Sequence, residues 1–435
     1  MRVAEENAGS SARTHGAGAP MVATLTRLDK ICLLVIGLAL QFNVETSTFG
    51  LPFQRLSDLI PFLTIPYFLL RPGVMSAILS RLVPIGLVVA LLGASLVFKA
   101  GKQEGDVYLT LVLLLYFVQC VQLVILFRDP SGPAWFSSGI LIGMIGSLGA
   151  LIAASVSIDL APYGLAVPLD GVDPEIALFM QDKLGGLWTA GNMTGHVFAL
   201  TGAAAMYLWF RYRRTEIYVL YVLGLLASFP MTNNRAGLLV PLVCLALLVR
   251  RSVNALYVAC ALAVLCGLVM VFGATGHVPV PEQFQSAIEK RFLSDGNTES
   301  NIGERLDTTV AALRMIVANP FGIGAIATQN QLREMTGLGT PHNGILSLAI
   351  QSGVMVALLF VLGAGRILLR PARFGPFAYY VVLFTVPSLM FEELSINQFF
   401  LFFMAFVLAA SALAGSAEAD IDHRPAALSA RVLRD

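Results

Sequence analysis

Charge is scarce in this chain: Asp, Glu, Lys and Arg make up 13 % of its 435 residues, where a soluble domain carries about a quarter. Beside a hydrophobic fraction of 57 %, that scarcity excludes an ordinary water-soluble fold and points to a polytopic membrane protein. A surplus of one sign is lacking as well. The net charge is +1, so there is no basic field to hold a nucleic acid. Cysteines are few, and Cys32, Cys120, Cys244, Cys260 and Cys266 all fall in apolar segments, so neither a disulfide nor a metal–thiolate site is expected. Residues 1–27 hold no apolar run; rich in Gly, Ala and Ser, they read as a disordered tail rather than a cleavable signal.

Long hydrophobic runs are what the chain has. A spanning helix needs about twenty mostly apolar residues, and twelve candidates meet that measure. They centre near Ile36, Leu63, Val89, Leu115, Ile145, Leu200, Leu223, Val243, Val264, Leu358, Val382 and Phe403. The second, seventh and eighth are short or interrupted by Pro61, Pro66, Pro230 and Pro241, which neighbouring helices can tolerate in a bilayer. The expected fold class is therefore an all-α polytopic membrane protein of about twelve transmembrane helices, with a large, partly helical periplasmic loop between spans nine and ten.

Basic residues set the orientation. Arg211, Arg213 and Arg214, Arg250 and Arg251, and Arg366, Arg370 and Arg373 crowd into short loops, whereas the basic residues of the other side are spread over longer segments. Positive-inside bias places those short loops and both termini in the cytoplasm. The resulting division is a tail over 1–27 and spans one to nine over 28–273, with an outer loop at 159–191. A large outer loop over 274–340, spans ten to twelve over 341–413 and a cytoplasmic tail over 414–435 complete it.

The outer loop 274–340 is the long polar tract in an otherwise apolar chain, and chemistry on a lipid-linked substrate would have to occur at such a surface. Within "GERLDTTVAALRMIVANPFGIGA", Leu306, Val310, Leu313 and Val317 share one helical face, as expected of a helix lying along the membrane. Arg305 and Arg314 are nine residues apart and so face opposite ways; Arg305 is the candidate for the site, and Arg314 pairs with Asp307 or a lipid headgroup. Asn319-Pro320 ends the helix, with Gly322 and Gly324 making the turn. In "TPHNGILSLAIQSG", Thr340 reads as an N-cap and Pro341 as the first helical residue, putting His342 in the first turn of a span. There the helix dipole favours the neutral imidazole that a general base needs, although a lone histidine at a helix start is more often a capping residue.

"FPMTNNRAGLLV" offers Asn233 or Asn234 as the cap of a span that Arg235 opens. Two outward helix N-termini with Arg235 and Arg305 would suit a diphosphate, while Arg235 alone could be an interface anchor. Lys183, Asn192 and His196, at the outer start of the sixth span, are weaker candidates for substrate binding, and Asn343 joins them. Glu392 and Glu393 in a tight outer turn could supply a substitute base, and Gln119 and Gln122 read as hydrogen-bonding glue between helices.

Together "KLGGLWTAGN", "TNNRAGLL" and "GERLDTTVAALRMIVANPFGIGA" followed by "PHNGILSLAIQSG" resemble the O-antigen ligase and O-antigen polymerase superfamily of bacterial membrane glycosyltransferases. The resemblance runs from about Lys183 to Gly365. It implies a multi-pass protein of the bacterial inner membrane that takes a glycan from undecaprenyl diphosphate without a nucleotide sugar; because a diphosphate leaves readily, no metal or other cofactor is expected. The family's arginines fall on Arg235 and Arg305 and its periplasmic histidine on His342. Lys183 stands where arginine is common, and Leu306-Asp307-Thr308 lacks a tryptophan often found there. The implied acceptor is either another lipid-linked repeat unit, for a polymerase of O-antigen or exopolysaccharide, or a lipid A core or protein, for a ligase. The reading leans to the polymerase, with the ligase as the alternative. A transporter or flippase of the same lipid-linked glycans is the rival from another class, and it would call for charges inside the membrane core. Membrane lipids and other members of a polysaccharide-assembly complex are the expected partners; nucleic acid is not.

Overall fold

The computed structural model describes residues 24–42, 59–71, 74, 131–155, 187, 191–232, 234–249, 297–337, 339, 341–370 and 376–389, with scattered positions between 115 and 129. Eleven helices lie in these stretches. They are α1 (Arg27–Ala39), α2 (Leu59–Leu70), α3 (Gly132–Ser155), α4 (Gly191–Tyr212), α5 (Thr215–Thr232), α6 (Arg235–Val249), α7 (Asn297–Ala318), α8 (Ala325–Thr336), α9 (Gly344–Ser352), α10 (Val354–Leu369) and α11 (Pro376–Leu389). Among the described residues there is no strand. The spans expected near Val89, Val264 and Phe403, most of the loop 159–191, Glu392 and Glu393 and both tails lie outside them.

The helix α3 is long and apolar enough to cross a membrane by itself. Its 24 residues extend about 36 Å at the usual helical rise, against a hydrocarbon core of about 30 Å. Shorter apolar helices at Leu59–Leu70, Thr215–Phe229, Val354–Leu369 and Pro376–Leu389 stand with it. Large apolar side chains face outward on several of them: Ile142, Ile145 and Ile152 on α3, Leu220 and Leu223 on α5, Leu239 and Val243 on α6, and Met355, Leu358 and Leu362 on α10. A surface of that kind suits lipid rather than water, and marks a membrane-associated helical protein.

The centre of the bundle is α4, which packs against α3, α5, α6 and α11. On one side α1 crosses α3 so closely that a Cβ at Gly37 or Gly139 would run into the partner backbone. Small residues permit such an approach, and van der Waals packing then does what the hydrophobic effect cannot do between helices in lipid. The end of α1 is tied further by Gln41, whose Nε2 donates to Thr201 Oγ1 of α4 at 2.9 Å and whose carbonyl accepts from Ser147 Oγ of α3 at 3.3 Å. Gln119 Nε2 donates to Thr64 Oγ1 at 2.7 Å and Gln122 Nε2 to the Ile65 carbonyl at 3.3 Å, so these glutamines do join their segment to α2.

At the start of α1, Thr26 and Asp29 form a capping box, satisfying each other's backbone N–H. The same Asp29 carboxylate is fully buried and receives Arg71 from the end of α2, with an Nη2–Oδ2 distance of 2.7 Å and Nε at 3.0 and 2.8 Å from the two oxygens. Tyr67 donates to it as well, at 2.9 Å. A charge so enclosed is tolerable because nearly every lone pair is used.

Two helices, α7 and α8, fill the described part of the polar loop. The expected end of α7 is observed: the helix stops at Ala318, and Gly322 and Gly324 carry φ of 84° and 94°. The span expected to run unbroken from His342 is instead cut at Gly353, with φ of 98°, into α9 and α10. The turn Pro320–Gly324 docks on that break. Ile323 N donates to the Ile350 carbonyl at 2.9 Å, Gly324 N to the Gln351 carbonyl at 3.1 Å, and Val354 N to the Pro320 carbonyl at 2.9 Å. The carbonyls that α9 leaves open at its end are thus closed by the loop, as the membrane requires of any broken helix. A Cβ on Gly322 would stand 2.7 Å from the Gln351 carbonyl oxygen and from Gly353 N, so both the space and the φ exclude a side chain.

Two outcomes are expected. Asp29→Ala leaves Arg71 enclosed without its partner and costs about 3–5 kcal/mol, read as a fall in the unfolding midpoint of the detergent-solubilised protein. Gly322→Ala strains the turn by about 1–3 kcal/mol and opens the clasp, so hydrogen exchange at the Ile323, Gly324 and Val354 amides accelerates, whereas Gly303→Ala, which meets nothing within 4 Å, leaves those amides protected.

Candidate functional site

Helix ends decide where the chemistry-bearing residues collect. The amino end of α6 is locked to the first turns of α4: a Cβ on Gly237 would lie 2.7 Å from the Gly195 carbonyl carbon, and one on Gly195 would lie 2.8 Å from Asn234 Cβ. Asn234, buried in this crossing, accepts the Gly237 N–H on Oδ1 at 2.9 Å. That is an N-cap bond to the third helical residue, so of the two asparagines considered for the cap, Asn234 fills the role and Arg235 becomes the first residue of α6. Its backbone is thereby fixed beside α4; its side chain lies outside the described residues.

One residue beyond Gly195, His196 is fully buried in α4. The charge of Arg305, on α7, is close enough to act on its imidazole. Arg305 itself is exposed, and its carbonyl accepts from Thr308 and Thr309. His196, a weaker candidate from the sequence, thus lies in the interior of α4 rather than at its surface. Lys183 lies outside the described residues, as does the side chain of Asn192 in the first turn of α4.

Packing explains the attitude of α7. Ala311, Ala312 and Met315 form a small core with Ile323, Leu332 and Ile350, drawn from α7, the turn, α8 and α9. The opposite face carries the expected stripe, and it points away from the protein, with Leu306 62 % and Val317 83 % exposed. An outward apolar stripe is what a helix resting on a membrane surface presents. Arg314 is exposed and half a turn from Arg305, so the two guanidiniums do not share a direction. Among the described residues Arg314 and Asp307 form no ion pair.

The expected start of the tenth span needs correction. His342 does not lie in the first turn of the helix: α9 begins at Gly344, and its N-cap is Asn343 rather than the expected Thr340, which lies outside the described residues; the Asn343 Oδ1 accepts from Ile345 N at 3.0 Å and Leu346 N at 3.1 Å. Asn343 fills the role because, extended and next to the first turn, it reaches two open N–H groups at once. Its oxygen is therefore committed to the backbone. His342 stands just outside the cap, half-buried, with φ of 49°. Left-handed backbone is uncommon for a residue with a Cβ, and strain of this sort gathers at functional sites.

The polarity of the bundle puts these residues at one end. Tyr380 of α11 meets Phe210 near the carboxyl end of α4, and only six residues separate the end of α10 from the start of α11, so α9 and the amino ends of α4 and α6 lie toward the other end. Asn234, Arg235 and His196 belong to that other end. The amino ends of α4 and α6 that meet there carry the positive pole of the helix dipole, which favours an anionic group.

Residues 220–361 match the family model described as O-antigen ligase, Wzy_C, a stretch from within α5 to the middle of α10 that contains Arg235, Arg305, Arg314, His342 and Asn343. It begins later than the resemblance drawn from Lys183, so Lys183, Asn192 and His196 fall before it. No curated protein matches the chain. With the arginine that opens α6, the loop helix and its clasp, and the strained histidine all inside the matched stretch, the chain carries an O-antigen ligase family domain over residues 220–361.

Proposed function

We propose that this protein transfers a glycan from a polyprenyl diphosphate, undecaprenyl diphosphate in bacteria, to an acceptor hydroxyl at the bundle end that holds Arg235, Arg305 and His342. The observation that carries the reading is the family match, which encloses all three residues. In the proposed reaction the acceptor oxygen attacks the anomeric carbon and the bond from that carbon to the diphosphate oxygen breaks. His342 takes the acceptor proton, and the lipid diphosphate leaves with the electron pair. Attack opposite the leaving group inverts the anomeric centre. Arg235 and Arg305 hold the diphosphate and stabilise the charge that grows on it. A diphosphate leaves readily, so the scheme needs no metal.

The match by its description favours a ligase, which moves finished polymer onto a lipid A core or a protein, over the polymerase to which the sequence alone leaned. Positive-inside bias supports the periplasmic face and cytoplasmic termini, in a multi-pass protein of the inner membrane. On this reading α7 lies on the outer leaflet, and Arg314 and Asn343 border the donor headgroup.

The test uses the full-length protein in lipid nanodiscs, given undecaprenyl diphosphate glycan with either a lipid A core or a second lipid-linked repeat unit. A new glycosidic bond to the core is the expected product. Arg235→Ala, Arg305→Ala and His342→Ala are each expected to lower the rate about a hundredfold or more with the protein still in the membrane. Near-normal rate from one of them removes that residue from the scheme. Elongated lipid-linked glycan would mark a polymerase, and movement of intact donor between leaflets without a new bond would mark a flippase.

A further inference from the structure

The bundle end opposite the proposed site carries a second arrangement that the transfer reaction does not use. At the turn between α4 and α5, Arg211, Arg213 and Arg214 stand exposed within four residues. Arg213 has a φ of 55°, a left-handed conformation that costs a residue with a Cβ and turns its side chain out of the helical path. Two of the guanidiniums are held in place by aromatic rings. Arg213 Cζ lies 4.9 Å from the Phe210 ring centroid and Arg211 Cζ 5.8 Å from that of Tyr212, and Arg211 also hydrogen-bonds Tyr207. Among the described residues none of the three forms an ion pair, although Glu216 is exposed two positions beyond Arg214.

The surroundings are aromatic and then apolar. Trp209 packs on Tyr218 at 6.2 Å, Phe210 on Tyr380 at 6.4 Å and Tyr379 on Tyr380 at 5.7 Å, a girdle of rings of the kind found at headgroup level. One to two turns farther along α5, Leu220 and Leu223 face outward. From these features we infer that the α4–α5 turn binds the phosphate of an anionic phospholipid, with its acyl chains lying along the outward leucines of α5. A guanidinium can grip two phosphate oxygens at once, and ring stacking orients it before the ligand arrives. A soluble phosphate would gain nothing from the leucines, and a zwitterionic lipid would bring its own cation to the arginines.

The experiment is independent of the transfer reaction. Full-length protein in mild detergent is titrated with phosphatidylglycerol, phosphatidylcholine or inorganic phosphate, and bound lipid is counted by native mass spectrometry. Phosphatidylglycerol is expected to be retained in preference to phosphatidylcholine, and excess inorganic phosphate is expected not to displace it. Each arginine removed should lower that preference about fivefold, so Arg213→Ala with Arg214→Ala lowers it about 25-fold, while Arg333→Ala on α8 leaves it unchanged. Should the double variant fail to fold, Arg214→Ala, which disturbs no ring contact described, carries the test at about fivefold. Equal retention of the two lipids, an undiminished preference in the variants, or displacement by inorganic phosphate overturns the inference.

Discussion

Three backbone hydrogen bonds between the turn Pro320–Gly324 and the break at Gly353 hold the polar loop to the membrane bundle. Each is worth about 1 kcal/mol net in the usual accounting, but here the alternative is an open carbonyl at a helix end in a poorly solvated place, which costs more. The clasp therefore joins stability to geometry. Because α7 enters the turn and α9 ends at it, the direction of the loop helix relative to the membrane helix is set at their shared end, and Ala311, Ala312, Met315 and Ile350 fill the space upstream. Arg305 lies upstream on α7, near its middle, and His342 just before the amino end of α9. Any site they share inherits its alignment from glycines that carry no chemistry.

A second joint works in the same way. Gly195 and Gly237 let α4 and α6 touch backbone to backbone, and Asn234 fills the corner while capping α6. Small residues here trade side-chain area for proximity, and the result is that Arg235 opens its helix beside the turn that holds His196. The catalytic candidates are supplied by loops and helix ends, the positions by glycine contacts deeper in the bundle.

Much of this was legible in the sequence because it follows from local chemistry. The stop at Asn319-Pro320, the turn glycines, the cap at Asn234, the gluing role of Gln119 and Gln122 and the amphipathic face of α7 all depend on a few neighbouring residues. What escaped depends on distant ones. Thr340 and Asn343 are both residue types that cap helices well, and the sequence does not decide between them; Asn343 caps α9 because its Oδ1 reaches the open N–H groups of Ile345 and Leu346. The break at Gly353 lies inside an apolar run that periodicity reads as continuous, and it becomes affordable because a segment thirty residues earlier supplies the missing partners. The helix α8 was not singled out, since its polar sequence has a weak pattern and takes its stability from Leu332 packing under α7.

The carboxylate buried in the first turn of α1 has a bearing on how the chain is assembled. Its guanidinium partner is 42 residues later, at the far end of α2, so a nascent α1 emerging from the ribosome carries an acid with no counter-ion. A buried carboxylate without a counter-ion is expensive, and Arg71 reaches it only once α2 lies beside α1. The packing of α1 and the placing of α2 beside it are consequently one event, sealed by this ion pair.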